Sequence, residues 1–209
     1  MTRKFPITQG FLTVLAIVVL LGLAVSSSAF GRASLSGQRV VSSTAHTATT
    51  ASTLIAPVAT CPGQTSLEAP AAVQEEAMRC MTDFARAGSG LAPLRDNAQL
   101  DGSAEAKASD LLRCDSFSHF ACGREFTYWI EQSGYLGEGC WRAGENLAWG
   151  AGEFATVRSL FEAWLDSPGH RANILGEYTE MGLALEQGNL EGHRGAHVWA
   201  AHFGSHCES

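Results

Sequence analysis

Four polar clusters hold the residue types that could do chemistry: Phe117-Ser118-His119, Gly144-Glu145-Asn146-Leu147, the run from Glu162 to His170, and the late histidines His193, His197, His202 and His206. Histidines and carboxylates are the usual proton carriers and divalent-metal ligands, so each cluster is a candidate for acid–base work or metal binding. None forms His-Glu-x-x-His, Gly-x-Ser-x-Gly, a Walker loop or a dinucleotide fingerprint. A Ser/His/Asp triad drawn from Ser118 or Ser167 has no nucleophile elbow or oxyanion loop to support it.

Each candidate carries a plainer structural reading beside the chemical one. His119 lies between Cys114 and Cys122; a bond between those cysteines would hold it in a short, pre-organised loop, whereas alone it reads as a surface hydrogen-bonding histidine. Glu145 precedes the apolar Leu147, Ala148 and Trp149, so a partly buried carboxylate needing a partner or a raised pKa is expected there. Its structural alternative is to accept backbone N–H bonds in a Gly-rich turn. Glu162 sits four residues after Arg158, the spacing of a solvated ion pair on a helix. His170 and Arg171 follow Ser-Pro-Gly, where positive groups suit a helix end. Positions 197 and 202 fall on opposite sides of any strand, so the late histidines share no common site.

The elements that position these groups are legible in outline. Pro70 marks a helix start, with an apolar stripe through Met78, Met81 and Phe84 ending at Gly88. A second helix places Leu100, Ala104, Ala108, Leu111 and Leu112 on one face, with polar Glu105, Lys107 and Asp110 between them. A short third helix is expected over 126–132, and a strongly amphipathic one over 153–166, stopped by Ser167 and Pro168. Alternation through Met181, Leu183 and Leu185, a turn around 188–192, and a second alternating run through Trp199, Ala201 and Phe203 predict a hairpin. The class is α+β.

Composition then narrows the role. The chain has 209 residues and a net charge of −7, and its only lysines are Lys4 and Lys107, so non-specific nucleic-acid binding is excluded. Arg3 and Lys4 precede an apolar stretch, Phe11 to Val25, and small residues end at Ala29. This reads as a secretory signal over 1–29, with an uncleaved anchor as the alternative and the sole expected membrane contact. Residues 30–66 read as a linker: between Gly31 and Thr60, 17 of 30 positions are Ser, Thr or Ala, and no acidic or aromatic residue occurs. The domain is expected over 67–209. All six cysteines follow residue 60, an even count in an exported segment, which predicts a disulfide framework of open connectivity. Beyond residue 60, ten basic residues face all 21 acidic ones, a balance of −11.

The ordered motifs Phe-Ser-His (117–119), Gly-Glu-Asn-Leu-Ala-Trp-Gly (144–150), Ala-Trp-Leu-Asp-Ser-Pro-Gly-His-Arg-Ala-Asn-Ile-Leu (163–175) and Trp-x-x-x-Phe-Gly (199–204) resemble the CAP superfamily of cysteine-rich secretory, antigen 5 and pathogenesis-related proteins. The likeness runs from about Cys80 to Gly204 and favours the bacterial branch, where Ser-Pro-Gly-His-Arg-x-Asn-Ile-Leu is typical. It implies a three-layer α-β-α sandwich with a small antiparallel sheet and a central cleft. In eukaryotic members two His and two Glu line that cleft and can hold zinc. His119 and Glu145 match the first histidine and glutamate, while Ser167 and Val198 stand where the others would be. His170 is the substitute this implies, giving a metal set of His119, Glu145 and His170, with Glu162 as an outer carboxylate that orients a histidine. The resemblance implies a secreted or surface-tethered binding module for a lipid, cell-wall polymer or protein. A metal-assisted hydrolase, with Glu145 or Glu162 taking a proton, is the alternative.

Overall fold

The computed structural model describes residues 51–206. The expected signal or anchor segment, most of the linker and Cys207 lie outside these residues. Helix α1 (Ala71–Gly88) starts directly after Pro70 and buries Ala77, Met78, Met81 and Ala85 along one stripe. Helix α2 (Ala98–Arg113) is capped by Asn97, whose side chain accepts from the N–H groups of Gln99 and Leu100. It buries Leu100, Ala104, Ala108 and Leu111 as expected, but it buries Lys107 and Asp110 as well. Helix α3 is shorter than its expected span, Tyr128–Gln132.

The helix expected over 153–166 begins later, because the Thr156 hydroxyl accepts the Ser159 N–H and caps α4 (Val157–Asp166) behind a separate 3₁₀ turn, Gly152–Ala155. Pro168 does more than end α4. It occupies the first turn of a further helix, α5 (Pro168–Ile174), where its missing N–H loses no hydrogen bond. His170 therefore lies inside a helix instead of capping the preceding one.

Strands β1 (Arg95–Asp96), β2 (Trp141–Gly150), β3 (Glu180–Leu190) and β4 (His193–His206) form one sheet in the order β1-β3-β4-β2. β4 is antiparallel to both neighbours, and β1 runs parallel to β3. The β3–β4 turn is Glu191-Gly192, tighter than expected; both residues have positive φ, 51° and 83°, the backbone of a two-residue type I′ hairpin. Glu145 consequently lies within β2 and not in a turn.

Central strand β4 is buried on both faces. Trp199, Ala201 and Phe203 pack against α1, α4 and Ile174 of α5, while Val198 and Ala200 pack with Leu147, Ala184 and the α2 residues Ala104, Ala108 and Leu111. This is the expected α-β-α sandwich. Gly182 lets α2 lie directly on β3: a Cβ there would sit 1.9 Å from the Leu100 carbonyl carbon.

The folded part begins before residue 67. Leu54, Ala56, Cys61 and Gln64 are buried, and Gln64 donates to the carbonyls of Ala56, Pro57 and Cys61. Cys61–Cys80 ties this segment to α1, and Cys114–Cys122 closes the loop that carries His119. Cys140 is disulfide-bonded too. On the remaining edge of β3, the Leu183 and Leu185 N–H groups donate to the carboxylates of Asp101 and Glu75, both at 2.9 Å.

At the start of β3, the Tyr135 hydroxyl donates to Glu180 at 2.8 Å. Burial pushes the Glu180 carboxyl up, but hydrogen bonds from Tyr135 and Asn97 and the Arg95 charge outweigh it and hold the pKa below the ordinary value. A carboxylate depressed in the folded state stabilises above its unfolded pKa of about 4.3, and that stabilisation is lost as pH falls through the folded value. Glu180→Gln should therefore make urea stability fall less steeply between roughly pH 5 and 3. An unchanged slope would contradict the assignment.

Candidate functional site

The register of β2 against β4 sets Glu145 directly opposite His202. Both side chains rise toward α2, which presents Ser103 and Lys107 one turn apart. The result is a continuous polar chain. Ser103 Oγ lies 2.6 Å from His202 Nδ1, His202 Nε2 lies 3.0 Å from Glu145 Oε2, and Glu145 Oε1 lies 2.6 Å from His119 Nδ1. Lys107 Nζ is 3.7 Å from Glu145 Oε1 and donates to the His119 carbonyl at 2.7 Å.

Exposure rises steeply at the His119 end of this chain. His202 is fully enclosed, the Glu145 and Lys107 side chains are 1% and 3% exposed, and that of His119 is 56% exposed. Burial alone would raise the Glu145 pKa, but hydrogen bonds from His119 and His202, with the His202 and Lys107 charges, hold it below the ordinary carboxylate value. Glu145 is thus an ionised, enclosed anion. Because a carboxylate can only accept, His202 Nε2 and His119 Nδ1 carry the protons they share with it. His119 Nε2 is left as the open polar atom of the ring. Burial lowers the Lys107 pKa, an effect opposed by the Glu145 and Asp110 charges.

His170 on α5 lies nearby, with its ring centroid 6.3 Å from that of His119. Burial, then the charge of His119, push its pKa down. Asn146 on β2 donates to the His170 carbonyl at 3.0 Å, and Asn173 donates to Asn146 Oδ1 at 2.9 Å and to the Glu145 carbonyl at 3.1 Å. The two central sequence motifs are therefore the two sides of one hydrogen-bonded contact between β2 and α5. Gly144 permits it, since a Cβ there would lie 2.5 Å from the Tyr178 hydroxyl.

His119 thus lies against Glu145 and beside His170, and Glu162 does not join them through any described hydrogen bond. It pairs with Arg158 at 3.0 Å on a half-exposed face of α4. Of the late histidines, His193 packs on Trp149 and His206 on Tyr135, while His202 alone enters the chain. Ser103 and Lys107 are not marked out by sequence, and His202 appears there only among the late histidines set aside as a shared site. Strand parity holds the signal for His202, which shares a face with Val198, the position aligned with a family histidine.

The model of the cysteine-rich secretory protein (CAP) family matches residues 81–203. The chain belongs to this family. Bacillus subtilis YkwD is 32% identical over 130 residues, 60% of this chain and 49% of the relative, so the chain spans about half the length of that curated relative. Among solved structures, an extracellular protein containing an SCP domain from Bacillus anthracis shares the fold with TM-score 0.53 at 22% identity, covering 64% of this chain and 40% of that one. An outer surface protein from Borrelia burgdorferi gives TM-score 0.50 at 18% identity, covering 60% of this chain and 87% of that one.

The CAP metal site expected at His119, Glu145 and His170 does not fit the side chains as they stand. Among the described residues, no group of three or more His, Cys, Asp or Glu is arranged to hold a metal ion. Both oxygens of Glu145 are engaged, and the Lys107 ammonium already stands 3.7 Å from Oε1. A second cation there would be repelled. Calorimetric titration with zinc should show no stoichiometric uptake; a saturable heat abolished by Glu145→Gln would contradict this.

Proposed function

We propose that this CAP domain is a secreted or surface-held binding module whose His119/His170 opening takes a neutral, hydroxyl-rich cell-wall glycan without a metal. The observation that carries the reading is the 2.6 Å contact between His119 Nδ1 and buried Glu145, which fixes an exposed imidazole and leaves Nε2 for a ligand hydroxyl. Phe120 beside it is exposed, an aromatic face of the kind on which sugar rings pack. The −11 balance beyond residue 60 disfavours acidic polymers and anionic lipid headgroups. Two structural neighbours described as extracellular or outer-surface proteins support the location.

Titrating soluble N-acetylglucosamine oligosaccharides should shift the NMR signals of His119, Phe120 and His170. His119→Gln should weaken binding roughly tenfold, the loss of one good hydrogen bond. Binding that is absent, or indifferent to His119→Gln, would overturn the proposal.

The same contact favours a second reading as a hydrolase, in which His119 Nε2 takes a proton from water attacking the glycosidic carbon, Glu145 stabilises the imidazolium, and that proton passes to the sugar oxygen that leaves as the bond breaks. Here Glu145 orients the base and Glu162 has no part. Turnover of the oligosaccharides that persists in chelator and vanishes in His119→Gln would select this reading.

A further inference from the structure

On the face of the sheet opposite Glu145, three buried polar atoms have no hydrogen-bond partner among the described residues: Gln74 Oε1, His197 Nδ1 and Trp199 Nε1. Gln74 and Trp199 are fully enclosed, and His197 is 8% exposed. Buried polar groups are rarely left without a partner, so three such atoms call for an explanation.

Their neighbours bring them together. His197 and Trp199 are two residues apart on one face of β4, about 7 Å along the strand. Leu185 is the cross-strand partner of Trp199, and its N–H donates to Glu75, the residue after Gln74. The start of α1 therefore lies at the β3 edge level with Trp199, and the α1 residues Ala77 and Met78 share one core cluster with Trp199. The Gln74 amide donates to the carbonyls of Leu67 and Ala69, and Glu68 between them is the acid whose charge acts on His197. Those two donated bonds also settle the amide orientation: the orphaned atom is the oxygen.

The hydrogen-bonding types complement one another. Trp199 Nε1–H can only donate, Gln74 Oε1 can only accept, and an imidazole protonated at Nε2 accepts at Nδ1. A single water can accept one hydrogen bond and donate two. We propose that Gln74, His197 and Trp199 form a binding site for one structural water, which accepts from Trp199 and donates to Gln74 and His197, joining α1 to β4. Buried waters typically make about three such bonds and exchange slowly.

The site lies across the sheet from the His119 opening and is independent of the proposed ligand. The test uses the full chain. In ¹⁵N-labelled protein, the Trp199 indole N–H, assigned by the signal lost in Trp199→Phe, should show a cross-peak to a long-lived water. A crystal structure of the unmodified chain, which needs no variant, should show one density peak within hydrogen-bond reach of all three atoms. A Trp199 indole bonded directly to Gln74, or the absence of both cross-peak and density peak, would overturn the assignment.

Discussion

Lys107→Met should lower the unfolding free energy by about 3 kcal/mol, the lower end of the range for breaking a buried ion pair by removing one partner. Methionine keeps the length of the side chain and removes the ammonium. Glu145, 1% exposed, would lose its fixed cation, and the His119 carbonyl would lose its 2.7 Å donor. The two remaining partners of Glu145 are histidines, so Lys107 is its only lysine or arginine neighbour within 4 Å among the described residues. The decisive measurement is a double-mutant cycle by urea unfolding. Glu145→Gln in the Lys107→Met background should cost clearly less than in the parent, because the uncompensated carboxylate is gone. Strictly additive losses would show that the two charges are not coupled.

A loss of comparable or larger size is expected for Arg86→Met, of about 4 kcal/mol. The buried Arg86 guanidinium makes no hydrogen bond to a carboxylate among the described residues. It donates instead to the carbonyls of Ala92, Ile174, Gly176 and Tyr178, at 2.8, 2.8, 2.9 and 3.1 Å. Methionine would strand these acceptors, and lysine, with a point charge in place of a planar fork, should restore less than half of the loss. The turn after α5 holds Tyr178 against Gly144 and Asn173, so faster amide exchange over 174–178 should accompany the loss in stability. If stability fell while exchange in that turn stayed protected, Arg86 would not be its clamp.

How far the chain can be read from sequence differs from element to element. Alternation in β4 gives the correct two facing sets, since side chains on a strand alternate with period two, and each set packs into its own buried cluster. β2 is not legible. Its glycines and polar residues resemble a loop, and their burial comes in part from the distant helices α4 and α5 that pack against it. α5 is hidden because Pro168 reads equally as the end of one helix and the first turn of the next. At the site, the motif resemblance locates His119, Glu145 and His170. Lys107 reads as a solvent-facing residue because nothing local marks a lysine as buried. Its enclosure depends on strands that arrive about 40 to 100 residues later in the chain.

The two carboxylates that hold the outer N–H groups of β3 have a consequence for the chain among its own copies. β1 covers only Glu180 and Met181, so the rest of β3 would be an open template for strand addition. Asp101 and Glu75 take up the Leu183 and Leu185 donors from helices already anchored in the core. An incoming strand would have to displace both carboxylates from these donors, and Asp101 is held in place by Arg79 as well. The sheet is thereby stoppered on that side, and crowded copies of the domain are guarded against edge-to-edge aggregation.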